Sequence, residues 1–584
     1  MLFITVYFLF SCHPEKVLPE EKVAQNIVLQ IDSFSDFIEK KLLPVVESNV
    51  DGKQLQQLFL KSRLAYKKFE WAAEYFTITV TRTVNGPPVP EVELNGQIRQ
   101  PGGLQVIETL LYPCYEPKNK QQLIAQLRHL QAECAIYKLY FKNIALFRWQ
   151  VWEAAKQELF RIQTLGITGF DDPLSGNSMA EAATSLQSLR QMLTNYARPD
   201  SRLPGLLRAA AYYLNVHQDF NTFDRAEFII KYANPVTRVL TQIQQKPDFH
   251  PLHYKRLLVQ DAATLFDASA FDSTAFASDP GETLTPEKIA IGRQLFNDPL
   301  LSGTMTRSCA SCHKPEKGFT DGLARHTVFN SKSLLDRHTP ALLNAALQPA
   351  QFADLRANTL EEQVGDVLAN QKEMHSSIQL VRKRLTATAQ YPQLFAAAFH
   401  HQKKDFIKNS EIIQVISSYV RSLSSLNSRF DQYMRGDSFA MTSDEISGFN
   451  LFMGRARCGT CHYMPLFNGA LPPFYETMDA EIIGVPKTRQ NKAIDPDEGR
   501  YKIIPVDPLK YAFKTPTIRN SARTAPYMHN GVFQNLKQVI DFYNKGGGAG
   551  LGLKIPNQTL SSEPLKLSSK EEQQLIVFIH SLDN

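Results

Sequence analysis

Two short runs carry the most chemistry in this chain: Cys309-Ala310-Ser311-Cys312-His313 and Cys458-Gly459-Thr460-Cys461-His462. Each sets two thiols three positions apart and an imidazole directly after the second. Thiols so spaced can add to the two vinyl groups of one porphyrin, and the neighbouring histidine can then ligate its iron, which is the attachment chemistry of haem c. A structural zinc site needs four ligands, and neither run has a second Cys or His pair at nearby spacing. With 7 Cys and 14 His in 584 residues, random order would give about 0.002 such runs. Two are present. The residues therefore predict two covalently bound haem c groups, one on Cys309 and Cys312 and one on Cys458 and Cys461, with His313 and His462 on the irons.

Each run must be held by a helix, and the same opening occurs twice. Thr285-Pro286-Glu287 caps and starts a helix that runs through Leu295-Phe296 to the first run, with proline at its first turn. Thr442 with Glu445 is a capping box for a helix through Leu451-Phe452 to the second run. A last helix from Ser568, with Glu571 three residues on, closes the second unit. Upstream, Leu55, Leu58, Phe59, Ala65, Phe69, Ala72 and Phe76 recur at helical spacing, and similar patterns cover 121–165, 180–196 and 206–244. The Pro- and Gly-rich stretch 85–103 interrupts them as a long loop or hairpin. The expected fold is mainly α: a helical bundle over 20–265, a linker at 266–284, and two cytochrome c-like lobes at 285–435 and 436–584.

The composition, 43% hydrophobic and 21% charged, is that of an ordinary globular protein. A net charge of +6 is small at this length and predicts no nucleic-acid surface. Residues 1–12 read as a lipoprotein signal: an apolar stretch Leu2–Phe10, too short to span a bilayer, and then Leu9-Phe10-Ser11-Cys12 with Cys12 as the lipidated residue. No Lys or Arg precedes the stretch. The expected place is the periplasm, with the membrane touched only through the lipid, a compartment that suits haem attachment and oxidised thiols. Cys114 and Cys134 remain, either as a disulfide or as two buried free thiols.

Residues 285–584 resemble the bacterial di-haem cytochrome c peroxidase family, including its MauG branch. The stretches that carry the resemblance are Gly292–Phe296, Ser308–His313, Gly318-Phe319-Thr320-Asp321-Gly322, Thr339–Asn344, Phe513–Asn520 and Ala525–Gly531. The resemblance implies that hydrogen peroxide is reduced at the His313 haem, with electrons entering through the His462 haem from a cytochrome c, a cupredoxin or a quinol-linked donor. It implies that Glu373 is the catalytic carboxylate that moves the peroxide proton. It offers His326 as a releasable distal ligand of the first haem, ahead of His338. The sixth ligand of the second haem falls on Tyr543, fourteen residues after His529, where the MauG branch has tyrosine and other members methionine; Met528 is the fallback. Two features depart from the family. Ala353 stands where its inter-haem tryptophan is expected, and all three tryptophans (Trp71, Trp149, Trp152) lie in the first half. Of the family's calcium site, Thr524 and Pro526 match but His338 replaces an asparagine, which leaves calcium open.

Residues 20–265 resemble, more weakly, imelysin-type helical domains through Arg63, Tyr66 and Glu70 and through Gly103–Glu108; Gln105 stands where that pattern has histidine. This implies a structural or docking bundle without a metal or peptidase role. The leading expectation is a di-haem peroxidase. A MauG-like oxidase of a partner protein and a non-enzymatic electron-transfer cytochrome are the alternatives, and a homodimer is left open.

Overall fold

The structure is a computed structural model that describes residues 17–48, 51–93, 95–196, 200–247, 249–401, 406–490 and 492–584. The proposed lipidation residue Cys12 lies outside the described residues. The chain is mainly α-helical, with two short antiparallel pairs, Glu91–Val92 on Ile98–Arg99 and Ala480–Glu481 on Phe513–Lys514. The first pair makes the Pro/Gly-rich interruption a hairpin.

In the N-terminal bundle the helical periodicity is real, but tertiary packing breaks it into shorter pieces. The apolar run from Leu55 to Phe76 is two helices, Gly52–Lys67 and Glu70–Phe76, with Phe69 buried between them. The span 121–165 is Lys120–Asn143 and Arg148–Thr164, separated by an extended turn at Ile144 and Phe147. Arg148–Thr164 is the central helix: every residue from Val151 to Thr164 is buried. Several of its charged residues find partners inside the protein, while the side chains of Glu158 and Gln163 have no hydrogen-bond partner. Arg161 donates to both oxygens of Asp171 at 3.0 and 2.7 Å. Glu153 accepts from Arg256 at 2.5 Å and from Gln244 at 2.8 Å. From the Gly52–Lys67 helix, Arg63 forks onto Glu181 at 2.5 and 2.8 Å, and Lys67 donates to Glu70 and Asp171 at 2.7 and 2.6 Å. Removing one member of such a buried pair costs about 3–5 kcal/mol. Gln105 donates to the Asn85 carbonyl, and Glu108 accepts from the Ser175 amide.

The two lobes open as the capping signals predict. Thr285 accepts from the Lys288 amide to start Pro286–Asn297, and Thr442 with Glu445 forms the box that starts Ser443–Met453. Each helix crosses a partner at a glycine. A Cβ on Gly292 would sit 1.8 Å from the Val415 carbonyl on Asn409–Ser422, and one on Gly448 would sit 2.1 Å from the Gln574 carbonyl on Ser569–Ser581. Only a hydrogen atom fits at either crossing.

Their cores differ. The first lobe has two clusters of its own, one around Leu295, Val381, Phe395 and Val415 and one around Phe296, Phe319 and Tyr419. The second lobe's main core, with Phe449, Phe452, Phe467 and Phe578 and joined by Phe430 from the end of the 285–435 range, is continuous with that of the bundle. Polar contacts cross the same boundary. Asn450 accepts from the Arg225 and Ala226 amides at 2.9 and 3.1 Å and donates to Asp224 at 3.0 Å. The 266–284 stretch, expected as a linker, is packed down by the apolar residues scattered through it: Phe266 and Ala270 are buried, and Phe271 sets its edge on Tyr475.

Candidate active site

In the first lobe the turn Cys309–Ser311 follows a Ser308 cap whose amide donates to Ser311 Oγ at 3.0 Å. It turns Cys309, Cys312 and His313 out at the end of the Pro286–Asn297 helix. His313 Nδ1 lies 2.9 Å from the Phe319 carbonyl. That bond places the ring proton on Nδ1 and leaves Nε2 as the lone pair for a metal. Burial pushes the His313 imidazole below its ordinary range, towards the neutral form that ligates iron. Phe296 packs beside the ring, and Phe319 meets Phe296 edge-on.

Glu373 sits in the turn that follows the helix Leu360–Ala369. Asn370 Nδ2 donates to its Oε1 at 2.8 Å. Burial raises its carboxyl pKa, opposed by Arg356, Asn370 and Arg307. A raised carboxyl pKa is the direction that favours a proton carrier over a permanently ionised side chain. The turn is locked by residues that sequence reasoning missed. Arg307 Nη1 donates to the Glu373 carbonyl and its Nη2 to the Thr327 carbonyl, both at 3.2 Å. Arg384 donates to the carbonyls of Leu300, Ser302 and Gly303 at 2.8, 2.6 and 2.7 Å, and Gly303 in turn donates to the Met374 carbonyl at 2.9 Å. The position of Arg307, two residues before Cys309, was the one available signal.

His326 is held by a carboxylate. Its Nδ1 pairs with Asp321 Oδ2 at 2.9 Å. This bond, with a second to Cys312, holds its pKa up at about 9. Asp321 also accepts from Thr339 at 3.1 Å. His338 Nδ1 is engaged by the Leu323 carbonyl at 2.8 Å, and the Thr524 hydroxyl donates to Ser521 at 3.2 Å. Thr524 stands against Gly318, and Pro526 follows Ala525 through a cis bond. Among the described residues there is no set of three His, Cys, Asp or Glu side chains suited to a metal ion. Cys114 is exposed and Cys134 buried, and both are free, so the disulfide alternative is not realised.

The second lobe repeats the first with one addition. Arg457, in a left-handed turn, leads into Cys458–Thr460. His462 Nδ1 lies 3.1 Å from the Pro516 carbonyl and 3.3 Å from that of Phe467, again leaving Nε2 free, and burial pushes its pKa down to about 4. The two attachment runs therefore fit haem c alike, by thiol spacing and by histidine tautomer. The addition is Tyr543, on Leu536–Asn544. Burial pushes its phenol pKa up, with the charges of Cys461, Cys458 and Glu481 acting in the same direction. Met528 lies in the same small apolar cluster, with Val485, Phe533 and Phe542. Glu481, which sequence reasoning also missed, is held up by burial next to Cys461 and Thr559.

Between the lobes, the Lys514 amide donates to the Ala353 carbonyl at 2.8 Å. Arg337 clamps Asp354 and Asp497, each at 2.6 Å, and Phe513 stacks on His529 at 3.9 Å. The register across the Ala353 position is thus set by backbone and ion pairs rather than by an indole.

Comparison with known proteins gives the following similarities. The family model described as di-haem cytochrome c peroxidase matches residues 286–439. The methylamine utilization protein MauG of Methylorubrum extorquens is 36% identical over 301 residues, 51% of this chain and 79% of that protein. Cytochrome-c peroxidase IdrP1 of a Pseudomonas species is 32% identical, covering 56% of this chain and 91% of its own length. Cytochrome c551 peroxidase of Pseudomonas aeruginosa is 29% identical over 303 residues, 52% of this chain and 80% of that protein. Among solved structures, a MauG-like protein associated with microbial copper homeostasis aligns with a TM-score of 0.45 and 28% identity, covering 52% of this chain and 91% of its own.

Proposed function

Because the chain belongs to the di-haem cytochrome c peroxidase and MauG family, a family of haem oxidoreductases, we propose that it reduces hydrogen peroxide in its first lobe with electrons taken up through its second. Haem c held by Cys309, Cys312 and His313 would supply the iron that binds peroxide, and haem c held by Cys458, Cys461 and His462 the electron store. The observation that carries this reading is the asymmetry of the two pockets. The first has Glu373, half-buried, fixed by Asn370 and Arg307, and with its carboxyl pKa raised by desolvation. The second has Tyr543, on Leu536–Asn544, in the apolar cluster of Met528, Phe533 and Phe542.

Glu373 takes the proton of the incoming peroxide and returns it to the departing oxygen. Arg307 and Arg384 hold the turn, so the carboxyl needs no rearrangement at the moment of transfer. His326, oriented through Nδ1 by Asp321, keeps Nε2 as the nitrogen that would serve as a ligand. The electron donor is a small periplasmic redox protein, a cytochrome c or a cupredoxin, or a quinol-linked donor, and the protein is held at the membrane by lipid on Cys12. No described helix is long and apolar enough to cross a membrane.

Tyr543 favours one second reading. A phenolate on iron stabilises oxidised states, as expected of a MauG-like oxidase that acts on a partner protein without prior reduction. Stopped-flow optical and EPR spectra of the purified holoprotein, mixed with peroxide before and after one-electron reduction, test both. Peroxide turnover only after reduction, with oxidation of a small donor, supports the peroxidase. Reaction of the fully oxidised protein supports the oxidase. No response to peroxide in either state would leave an electron-transfer cytochrome.

A further inference from the structure

An aromatic cluster in the N-terminal bundle takes no part in this peroxide chemistry, yet it runs from the surface to the second attachment loop. At its centre is Tyr213, 6% exposed, on the helix Leu203–Val216. Its ring stacks on Tyr232 with centroids 4.4 Å apart and planes at 27°, and on His217 at 4.3 Å and 31°. Its hydroxyl donates to Glu227 Oε2 at 3.0 Å, and the other Glu227 oxygen takes Lys231 at 2.9 Å. Tyr232 stands in a π-helical turn, Ile229–Ala233, between two α-helical segments; such turns are uncommon and recur at functional sites. His217 is exposed and Tyr232 half-buried, so the stack has an outer end.

The inner end is continuous with the second lobe. Phe223, 2% exposed, meets Tyr213 edge-on at 5.7 Å. The Arg225 guanidinium lies over Phe223 at 5.7 Å and over Phe220 at 4.7 Å. Arg225 is fully buried, and its side chain donates to three carbonyls, those of Ile167, Phe220 and Phe223. It presses on Gly454, where a Cβ would meet its Nη1 at 2.6 Å. The Gly454 carbonyl accepts from the amide of Arg457, next to Cys458, at 2.8 Å. A second branch leads from Phe220 onto Gly169 and through Phe170 to Tyr463, 6.0 Å away and adjacent to His462.

Packing alone would be served as well by phenylalanine at position 213. What phenylalanine lacks is a hydroxyl with a carboxylate to receive its proton. Burial and Glu227 disfavour the phenolate, so the proton leaves together with an electron or not at all. Lys231 keeps the Glu227 carboxyl ionised and ready to accept it.

We propose that Tyr213 is a redox-active tyrosine through which one-electron reductants at the exposed Tyr232–His217 end deliver electrons to the second haem lobe, with Glu227 holding the proton. In one step the Tyr213 O–H bond breaks. Its electron passes inward to haem iron already oxidised by peroxide, which is reduced by one electron, and its proton goes to Glu227 Oε2. The surface reductant then returns one electron to the tyrosyl radical while Glu227 returns the proton. Two such rounds supply the two electrons that one peroxide consumes. The proposal rests on the peroxide chemistry above.

Freeze-quench EPR of the full-length holoprotein tests it, with excess peroxide and no reductant, after growth on ring-deuterated tyrosine and on ordinary tyrosine. An organic radical whose lines narrow on deuteration is expected in the native protein. It should be lost in Tyr213→Phe and diminished in Glu227→Gln, with haem content and the peroxide-induced optical change intact in both. Hydroquinone should quench the native radical and restore the resting spectrum more slowly in either variant. The same radical in Tyr213→Phe, or its absence from native protein whose haems respond to peroxide, overturns the relay and leaves the peroxidase reading standing. Haems inert to peroxide overturn both. Should Tyr213→Phe fail to load haem, an undiminished radical in Glu227→Gln overturns the relay by itself.

Discussion

Pro286–Asn297 of the first lobe crosses Asn409–Ser422 at Gly292 just as Ser443–Met453 of the second crosses Ser569–Ser581 at Gly448, and each crossing delivers a Cys-x-x-Cys-His turn. Beyond those shared parts the lobes diverge. The first closes two apolar clusters by itself and spends its polar residues on fixing the Glu373 turn. The second merges its core with the bundle and has an aromatic cluster of the bundle against its attachment loop. A pocket that must exchange protons with a small oxidant needs a fixed carboxyl and local rigidity. A pocket that only takes up electrons tolerates, and can use, a whole domain against its flank.

The largest effect separates the lobes by chemistry. Glu373→Gln should lower peroxide-dependent oxidation of a reduced donor by about 10²–10⁴-fold with both haems still attached, as measured by steady-state kinetics and a haemochrome assay. Glu481 is likewise a half-buried carboxyl, raised by desolvation beside Cys461, but in the second lobe. Glu481→Gln should change turnover by less than about threefold. Equal losses in the two variants would erase the division of labour.

The next effects concern how the lobes are supported. Asn450→Ala removes three hydrogen bonds across the bundle boundary and should destabilise the bundle and second lobe together by about 3 kcal/mol. Calorimetry should show one transition moving and the first-lobe transition staying in place. Gly292→Ala and Gly448→Ala each force a methyl into a carbonyl and should cost about 1–3 kcal/mol. Gly292→Ala should shift the first-lobe transition alone, and Gly448→Ala the shared one. If both glycine variants moved a single transition, the lobes would not be energetically separate.

Much of this was legible in the chain because the signals are local. The attachment runs, the Thr285 cap and the capping boxes at Thr442 and Ser568 each involve residues within a few positions of one another, and each stands where it was expected. Helix breaks were less legible. Ile144 and Phe147 look like any apolar helical positions, and only the need to turn Arg148–Thr164 into the middle of the bundle separates them. Least legible were long-range partners. Arg384 fixing the first-lobe turn, Arg225 under Gly454 and Lys514 on Ala353 join residues tens to hundreds of positions apart. None has a spacing that could announce it. The strap 266–284 misled for a related reason: its polar composition reads as a linker, while Phe266, Ala270 and Phe271 anchor it.

The smallest effect uses pH to ask which transition holds the bundle. Burial raises the Glu74 carboxyl from its ordinary value to about 7, against the pull of Arg161 3.0 Å away. Unfolding returns it to the ordinary carboxylate range. Between pH 4.5 and 7 the unfolded chain has therefore lost this proton while the folded one keeps it, and stability falls as pH rises through that window. The side chain is 17% exposed, so the loss is about 1–2 kcal/mol rather than the full linkage value. Glu74→Gln should flatten the profile and gain about 1 kcal/mol at pH 8, and it should do so only in the transition shared by bundle and second lobe. A loss of stability at pH 8 would mean that the Arg161 pair outweighs the desolvation of Glu74. A change confined to the first-lobe transition would break the assignment of the shared core.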